Sequence, residues 1–279
     1  MRIREYSLPP GWFPRETEEA RAAISGFLRG KSVFPASRAV ICPHAGWRYS
    51  GRIAALGIAS LDRDCQTVAI LGGHLPAGSR PLFAMEDAIR TPFGAAAIDK
   101  ELRSALLDDI GGDEDRFRDN TVEVLSPIAR FFFPDAELLW LRLGADMESF
   151  EAGKAISRLA GKLGKKVNVI GSTDLTHYGV NYGFTPRGGG PAAIKWVREV
   201  NDAAFIKAVL SGNSGEALSR AREDSSACSP GAVLGAMGFA AAQGLGEAKL
   251  IERGSSADID DGETPSSFVG YAAMAFGSR

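Results

Sequence analysis

The chain has 279 residues, of which 45% are hydrophobic and 24% are charged, as in an ordinary soluble globular protein. This composition excludes an intrinsically disordered chain, a collagen-like repeat and a disulfide scaffold. The formal net charge of -2 gives no support for a nucleic acid or an anionic membrane as a partner.

The amino terminus, Met1 to Tyr6, has neither an apolar signal core nor a long basic amphipathic stretch. No apolar run reaches the roughly 18 residues that a membrane-spanning helix needs. Cys42, Cys65 and Cys228 are odd in number and far apart, which favours free thiols in a reducing compartment. We therefore expect a cytoplasmic protein.

Helices and strands alternate in the predicted secondary structure of the first half. The elements are a helix over 16–29, a strand ending at Pro43, a helix over 51–61 capped by Ser50, a strand over 67–71, a Gly- and Pro-rich loop over 72–80 and a short strand over 82–85. Thr91-Pro92-Phe93-Gly94 then predicts the turn of a small hairpin.

The second half continues the alternation. Its predicted elements are helices over 100–107, 122–132 and 147–163, a strand over 137–143, a strand from 167, a Gly-rich loop over 179–190, helices over 192–210, 215–222 and 230–242, and strands over 249–252 and 268–276 that flank an acidic turn over 258–263. The pattern indicates βαβ units. It predicts one α/β domain over residues 1–279, with a largely parallel mixed sheet flanked by helices.

The three histidines each follow an apolar run that is predicted to be a buried strand. His44 follows 39–43, His74 follows 68–73, and His177 follows the run that starts at 167. Carboxyl ends of parallel strands are where open α/β sheets bind their ligands, so we expect the imidazoles to converge. Imidazole is the commonest protein metal ligand and a good acid or base near neutral pH, which predicts a metal site.

The residues around two of these histidines suggest chemistry. Small residues after His44 let the chain turn so that its imidazole can face a cavity, which Trp47 and Tyr49 could line, although aromatic residues here are more often core residues. Asp174 precedes His177 by three residues. This carboxylate could orient the imidazole, bind a metal or only cap a turn.

Several of these motifs together resemble the MEMO family, also called AmmeMemoRadiSam system protein B. The matching stretches are Pro43-His44-Ala45-Gly46-Trp47, Tyr49-Ser50-Gly51, Gly73-His74, the hairpin from Glu86 to Gly94, Ser172-Thr173-Asp174-Leu175-Thr176-His177-Tyr178-Gly179, Ala227-Cys228-Ser229-Pro230 and Ser267-Phe268-Val269-Gly270-Tyr271-Ala272. They occur in the family's order and cover almost the whole chain.

The resemblance implies a fold like that of the class III extradiol dioxygenases, which are non-haem iron enzymes. It implies metal ligands His44, His74 and Cys228, with Asp174 and His177 as a nearby pair. Two imidazoles and a thiolate form a softer site than the usual Fe(II) triad, so copper and zinc are candidate metals in addition to iron. Cys228 has the alternative role of a small buried apolar side chain.

One stretch departs from the family. Members commonly carry a histidine at the position of Asn120, within Asp119 to Glu123. An asparagine can hydrogen-bond a substrate oxygen but cannot exchange protons near neutral pH. Asn120 is therefore a candidate substrate-binding residue, and Glu123 either faces the site or stabilises a helix N-terminus.

The first functional hypothesis is a metal-dependent redox enzyme, dioxygenase-like, acting on an unidentified small molecule, with His177 and Asp174 as catalytic residues. The second is a non-catalytic protein that binds a metal or a peptide ligand on the same fold, and a weaker third is a zinc hydrolase. The family name also implies a functional link to a radical SAM protein and an AMMECR-type protein.

Overall fold

The fold is centred on four parallel strands in the computed structural model, which describes residues 1–33, 36–259 and 264–277. The strands are β1 (Ile3–Arg4), β2 (Ser37–Cys42), β3 (Thr67–Leu75), β4 (Leu82–Phe83), β5 (Ala88–Thr91), β6 (Gly94–Ala97), β7 (Asp113–Glu114), β8 (Glu137–Gly144), β9 (Val167–Ser172), β10 (His177–Gly179), β11 (Ala248–Ser255) and β12 (Ser267–Gly277).

Helices surround these strands. They are α1 (Thr17–Phe27), α2 (Arg52–Ala59), α3 (Lys100–Ile110), α4 (Asn120–Glu123), α5 (Ser126–Phe132), α6 (Glu148–Lys162), α7 (Pro191–Trp196), α8 (Asp202–Leu210), α9 (Ser214–Glu223) and α10 (Pro230–Ala242). Short π-helical turns, Trp47–Gly51 and Val197–Asn201, lead into α2 and α8, and short 3₁₀ turns cover Val180–Tyr182 and Ser256–Asp258.

The larger sheet is mixed but mostly parallel at its centre. Within the described ranges it has nine strands in the order β10-β12-β2-β9-β3-β8-β4-β7, with β11 also paired to β12. β2, β9, β3 and β8 run parallel, whereas β12 is antiparallel to β2 and β4 is antiparallel to β8. The predicted α/β fold, with a largely parallel mixed sheet flanked by helices, is confirmed. β1, β5 and β6 form a separate sheet that contains the predicted hairpin.

Alternate residues of the central strands pack on opposite faces of the sheet. Ile41 and Leu71 lie in a core with α6, α8, α9 and α10, whereas Val40 and Ile70 lie in a second core with α1, α2 and α5. Because both faces are covered by helices, the strands are mostly apolar, as expected for buried parallel strands. Their carboxyl ends therefore form the polar edge where side chains can meet.

Four local predictions differ from the structure. The predicted helix over 122–132 is split into α4 and α5, because Pro127 lacks an N–H and lies in the first turn of α5. Ser50 does not cap α2, since it lies within the π-helical turn and its hydroxyl donates to the Ala45 carbonyl. β3 extends through His74, and β10 replaces the start of the predicted loop over 179–190.

The acidic turn predicted over 258–263 falls mostly on residues 260–263, which lie outside the described residues. Among the residues that the structure does describe, no helix has both the length and the apolar character needed to cross a bilayer.

Candidate metal centre

His44, His74 and Cys228 meet at the carboxyl edge of the central strands. His44 lies two residues beyond β2, His74 lies near the end of β3, and Cys228 lies two residues before the start of α10. One potential ligand atom from each side chain lies within 4.8 Å of the other two. The Cys228 Sγ is 3.3 Å from His44 Nε2, and the two imidazole rings are perpendicular with centroids 5.0 Å apart.

Both imidazoles are held through their Nδ1 atoms. His44 Nδ1 is 2.8 Å from the Ser172 hydroxyl, and His74 Nδ1 is 3.0 Å from Asp119 Oδ2. The Nε2 atoms are thereby left for the thiol or for a metal. This is the usual arrangement around metal-binding histidines, in which a second residue fixes ring orientation.

His74 has an unusual backbone conformation, with φ of 58°. This left-handed conformation is uncommon for a residue other than glycine and persists only where surrounding contacts impose it. Here the Gly73 N–H donates to Thr121 Oγ1 at 3.2 Å, and Arg142 Nε donates to the Gly73 carbonyl at 3.0 Å. Strain at this point favours a functional role for His74.

The thiol is surrounded by positive charge. Burial raises the pKa of Cys228, but the charge of His44 and the nearby imidazoles of His177 and His74 outweigh burial and lower the pKa well below its usual value. Burial lowers the pKa of His74, but the hydrogen bonds with Asp119 and Cys228 raise it to about 10. The cluster therefore favours a thiolate, which is the form of cysteine that binds metals.

Asp174 and His177 lie beside this cluster. Asp174 is buried, and its Oδ1 accepts hydrogen bonds from the N–H groups of His44 at 2.8 Å and Ala45 at 3.3 Å. Its Oδ2 is 3.9 Å from His44 Nε2 and 3.8 Å from His177 Nε2. Burial lowers the pKa of His177, but Asp174 and Cys228 raise it to about 9.

The expected convergence of the three histidines is therefore observed. The structure also tests whether the residues fit a metal. His177 Nε2 is buried and has no hydrogen-bond partner among the described residues, although it points towards the thiolate and Asp174. A buried polar atom without a partner costs free energy, so this atom requires a ligand or water. The imidazoles of His44 and His74 and the Cys228 thiolate fit a borderline or soft transition metal, and a donor set of three residues leaves room for a further ligand.

A cavity of about 680 Å³ opens beside Asp174 and His177. The other described residues that line it include Trp12, Ala45, Arg48, Tyr49, Asn120, Tyr182, Ser256, Ser267, Val269 and Tyr271. The Tyr182 ring packs 4.9 Å from the His177 ring, measured between centroids. Aromatic walls over a polar base are typical of a small-molecule site.

The proposed substrate-binding residues occupy different places. Tyr49 and Asn120 line this cavity, and Asn120 Nδ2 donates to the His44 carbonyl at 3.1 Å. Trp47 is buried instead, with its indole N–H donating to the Val124 carbonyl, and contact of Trp47 with a ligand stays a prediction. Glu123 accepts hydrogen bonds from Ser7 and Leu8, so its carboxylate holds the amino-terminal segment.

Sequence reasoning missed Ser172, Arg142 and Trp12. The signal for Arg142 was present, since it is a basic residue near the end of the otherwise apolar run 138–143. Ser172 begins one of the family motifs, but no local pattern indicates its contact with His44, which lies 128 positions away. Trp12 carried no such signal. Cys42 is fully buried in the core, and burial raises the pKa of its thiol, which suits a packing role.

Comparison with known proteins places the chain in a family. The family model described as Memo-like protein matches residues 4–275. The chain belongs to the Memo-like protein family.

Relatives in archaea match this family member over nearly their whole lengths. A MEMO1 family protein of Methanosarcina barkeri is 30% identical over 96% of this chain and 95% of its own length. Another, of Methanococcoides burtonii, is 29% identical over 98% of this chain and 99% of its own length.

A comparison with solved structures finds an uncharacterized protein of Escherichia coli K12. The match has a TM-score of 0.49 and 14% sequence identity, and it covers 84% of this chain and 98% of that protein's chain.

Proposed function

We propose that this Memo-like protein is a metal-dependent enzyme that carries out redox chemistry on a small molecule. The observation that carries the proposal is the convergence of two imidazoles and a thiolate within 4.8 Å of one another. His44, His74 and Cys228 would hold the ion, with iron, copper and zinc all compatible with this donor set. When bound, the ion would supply Lewis acidity and, if it is iron or copper, one-electron chemistry.

His177 would supply the proton transfer. The Asp174 carboxylate lies 3.8 Å from its Nε2 and favours the protonated imidazole, which can donate a proton to an oxygen of a molecule in the cavity. The Asp174 carboxylate stabilises the charged ring. Asn120 uses its Nδ2 on the His44 carbonyl, which leaves Oδ1 as an acceptor for a hydroxyl or amine of the ligand.

A second candidate is a non-catalytic protein that binds a metal or a peptide. It is favoured by an open groove of about 600 Å³, lined in part by Phe13, Phe27 and Trp47, that shares Trp12 and Arg48 with the main cavity. A ligand longer than a small molecule could occupy both. The link to a radical SAM protein and an AMMECR-type protein belongs to the enzyme proposal above and is tested by co-purification.

Elemental analysis after anaerobic purification tests the metal assignment. We expect equimolar metal in the wild type, strong loss in Cys228→Ser, and retention in the matched control Cys65→Ser, whose thiol lies outside the site. Unchanged metal stoichiometry and affinity in Cys228→Ser would reduce Cys228 to a packing residue.

Spectroscopy and oxygen uptake then separate the functions. A redox-active metal with substrate-dependent dioxygen consumption supports the enzyme, and tight metal binding without any reaction supports the binding protein. Zinc with hydrolytic activity would overturn the redox proposal in favour of a hydrolase.

A further inference from the structure

Arg142 is a buried arginine behind the metal centre. It lies on β8 and is only 4% exposed. Its guanidinium donates two hydrogen bonds, from Nε to the Gly73 carbonyl at 3.0 Å and from Nη1 to Asp115 Oδ1 at 3.2 Å. Its Nη2 also forms an ion pair with Asp119 Oδ2 at 3.2 Å. Two of these acceptors belong to the surroundings of His74. The third, Asp115, is fully buried and also accepts from the Trp140 indole at 2.8 Å, so it anchors the guanidinium.

The first contact controls the backbone. The Gly73 carbonyl belongs to the peptide bond that precedes His74, whose φ is 58°. A left-handed conformation is unfavourable for a residue other than glycine, so it must be imposed by neighbours. Arg142 holds the carbonyl side of the Gly73–His74 turn, while Thr121 accepts from the Gly73 N–H.

The second contact controls the imidazole. Asp119 Oδ2 lies between the Arg142 guanidinium and His74 Nδ1, at 3.2 Å and 3.0 Å. Asp119 Oδ1 accepts from the Thr121 N–H at 2.8 Å and from the Thr121 hydroxyl. The carboxylate thus has little freedom to rotate. With Nδ1 held, the only other ring nitrogen of His74, Nε2, is left for the site.

We propose that Arg142 is a positioning residue that sets both the backbone and the imidazole of His74 for metal binding. The inference rests on the proposed metal site. The planar guanidinium provides several donors in fixed directions, whereas a lysine ammonium is a point charge on a flexible stem and cannot match this geometry. The role therefore depends on the shape of the side chain as well as its charge.

Metal affinity of Arg142→Lys tests the proposal. The matched control is Arg103→Lys, because Arg103 is partly buried and donates to two carbonyls, those of Ala84 and Glu86, away from the site. We expect Co²⁺ and Zn²⁺ affinities, measured by chelator competition, to fall about 10–100-fold in Arg142→Lys and to change less than about twofold in the control. A purely structural role would lower the melting temperature of both variants and leave affinity unchanged.

A crystal structure of metal-free Arg142→Lys provides a readout independent of metal binding. We expect His74 to leave its left-handed conformation or to lose its contact with Asp119. A double-mutant cycle with Asp119→Asn adds a third measurement. Because Arg142 acts partly through Asp119, the affinity loss in the double variant should be smaller than the product of the two single losses.

Two outcomes would overturn the inference: cobalt affinity of Arg142→Lys equal to that of the control, or an unchanged His74 in the metal-free variant. If the wild type binds neither Co²⁺ nor Zn²⁺, the proposed function fails, and the metal-free structure still decides whether Arg142 positions His74. If Arg142→Lys does not fold, the pair Arg142→Gln with Asp115→Asn removes one buried charge of each sign and is judged by the same measurements.

Discussion

Asp174 connects the two parts of the candidate site. One carboxylate oxygen accepts from the backbone of the turn that carries His44, and the other lies within 3.9 Å of both His44 Nε2 and His177 Nε2. The same side chain therefore orders the first turn after β2 and supplies negative charge to both imidazoles. Asp174 therefore links the proposed metal ligand His44 to the proposed proton donor His177.

Replacing His177 separates proton transfer from metal binding. In His177→Ala we expect metal affinity to be largely retained and turnover, or ligand binding if no reaction is found, to fall by about 10²-fold or more. His44→Ala, the comparison variant, should lose the metal because its Nε2 lies 3.3 Å from the thiol sulfur. Metal titration and kinetics of both variants measure this. Equal metal loss in the two would make His177 a ligand, and no change in activity or ligand binding would leave it without a functional role.

At the scale of elements, α10 determines where Cys228 lies. This helix is buried almost all round and packs on α6 and on the central strands. Small residues allow the close approach: a Cβ added to Gly238 would lie 1.9 Å from the Phe150 carbonyl oxygen of α6. Cys228 precedes α10 by two residues. The close packing of this helix against α6 therefore determines where the thiol lies at the edge of the sheet.

A methyl group at Gly238 should therefore force α10 away from α6. We expect Gly238→Ala to lower the free energy of unfolding by roughly 2–3 kcal/mol, because the obstructing atom belongs to the backbone and cannot rotate away. The control is Gly161→Ala on α6, where an added Cβ meets nothing within 4 Å and should stabilise by about 0.5–1 kcal/mol.

Urea unfolding of both variants measures the difference. If Gly238→Ala and Gly161→Ala had similar free energies of unfolding, the packing of α10 on α6 would be looser than in the structure.

At the scale of the whole molecule, a buried carboxylate joins distant segments beneath the site. Asp202, at the start of α8, accepts from both the N–H and the hydroxyl of Thr176, and a Cβ on Gly270 of β12 would lie 2.0 Å from its Oδ2. Burial raises the pKa of Asp202 to about 7, although hydrogen bonds from Thr176 and the charges of Arg253 and Arg198 oppose the rise.

This raised pKa makes global stability depend on pH. The folded state binds the proton more tightly than the unfolded state, so the stability due to Asp202 is present below about pH 4 and is lost as pH rises to about 7. In Asp202→Asn that loss is absent. We expect the free energy of unfolding of the variant, relative to wild type, to increase by up to roughly 4 kcal/mol across this interval.

Denaturant unfolding of Asp202→Asn and of the wild type at several pH values measures this change in the free energy of unfolding. The control is Asp108→Asn, the same substitution at an exposed position. A difference between Asp202→Asn and wild type that does not vary with pH would show that Asp202 is ionised to the same extent in both states.

The helices and strands that the sequence determined are those with strong local patterns. α6, α10 and the parallel strands have apolar periodicity or continuous apolar runs, and the histidines stand directly after such runs, so both the α/β fold and the edge carrying the site could be predicted. The family motifs added Cys228, which no local pattern would have joined to His44, 184 positions away.

Tertiary structure alone decided the remaining features. β10 forms because its residues pair with β12, which lies about 90 positions later, and no local pattern encodes that partner. The left-handed His74 and the Arg142–Asp119 contact arise because β8 and the turn before α4 meet β3 in space. Trp12 lines the main cavity and Trp47 does not, and only the packing of distant segments determines this difference.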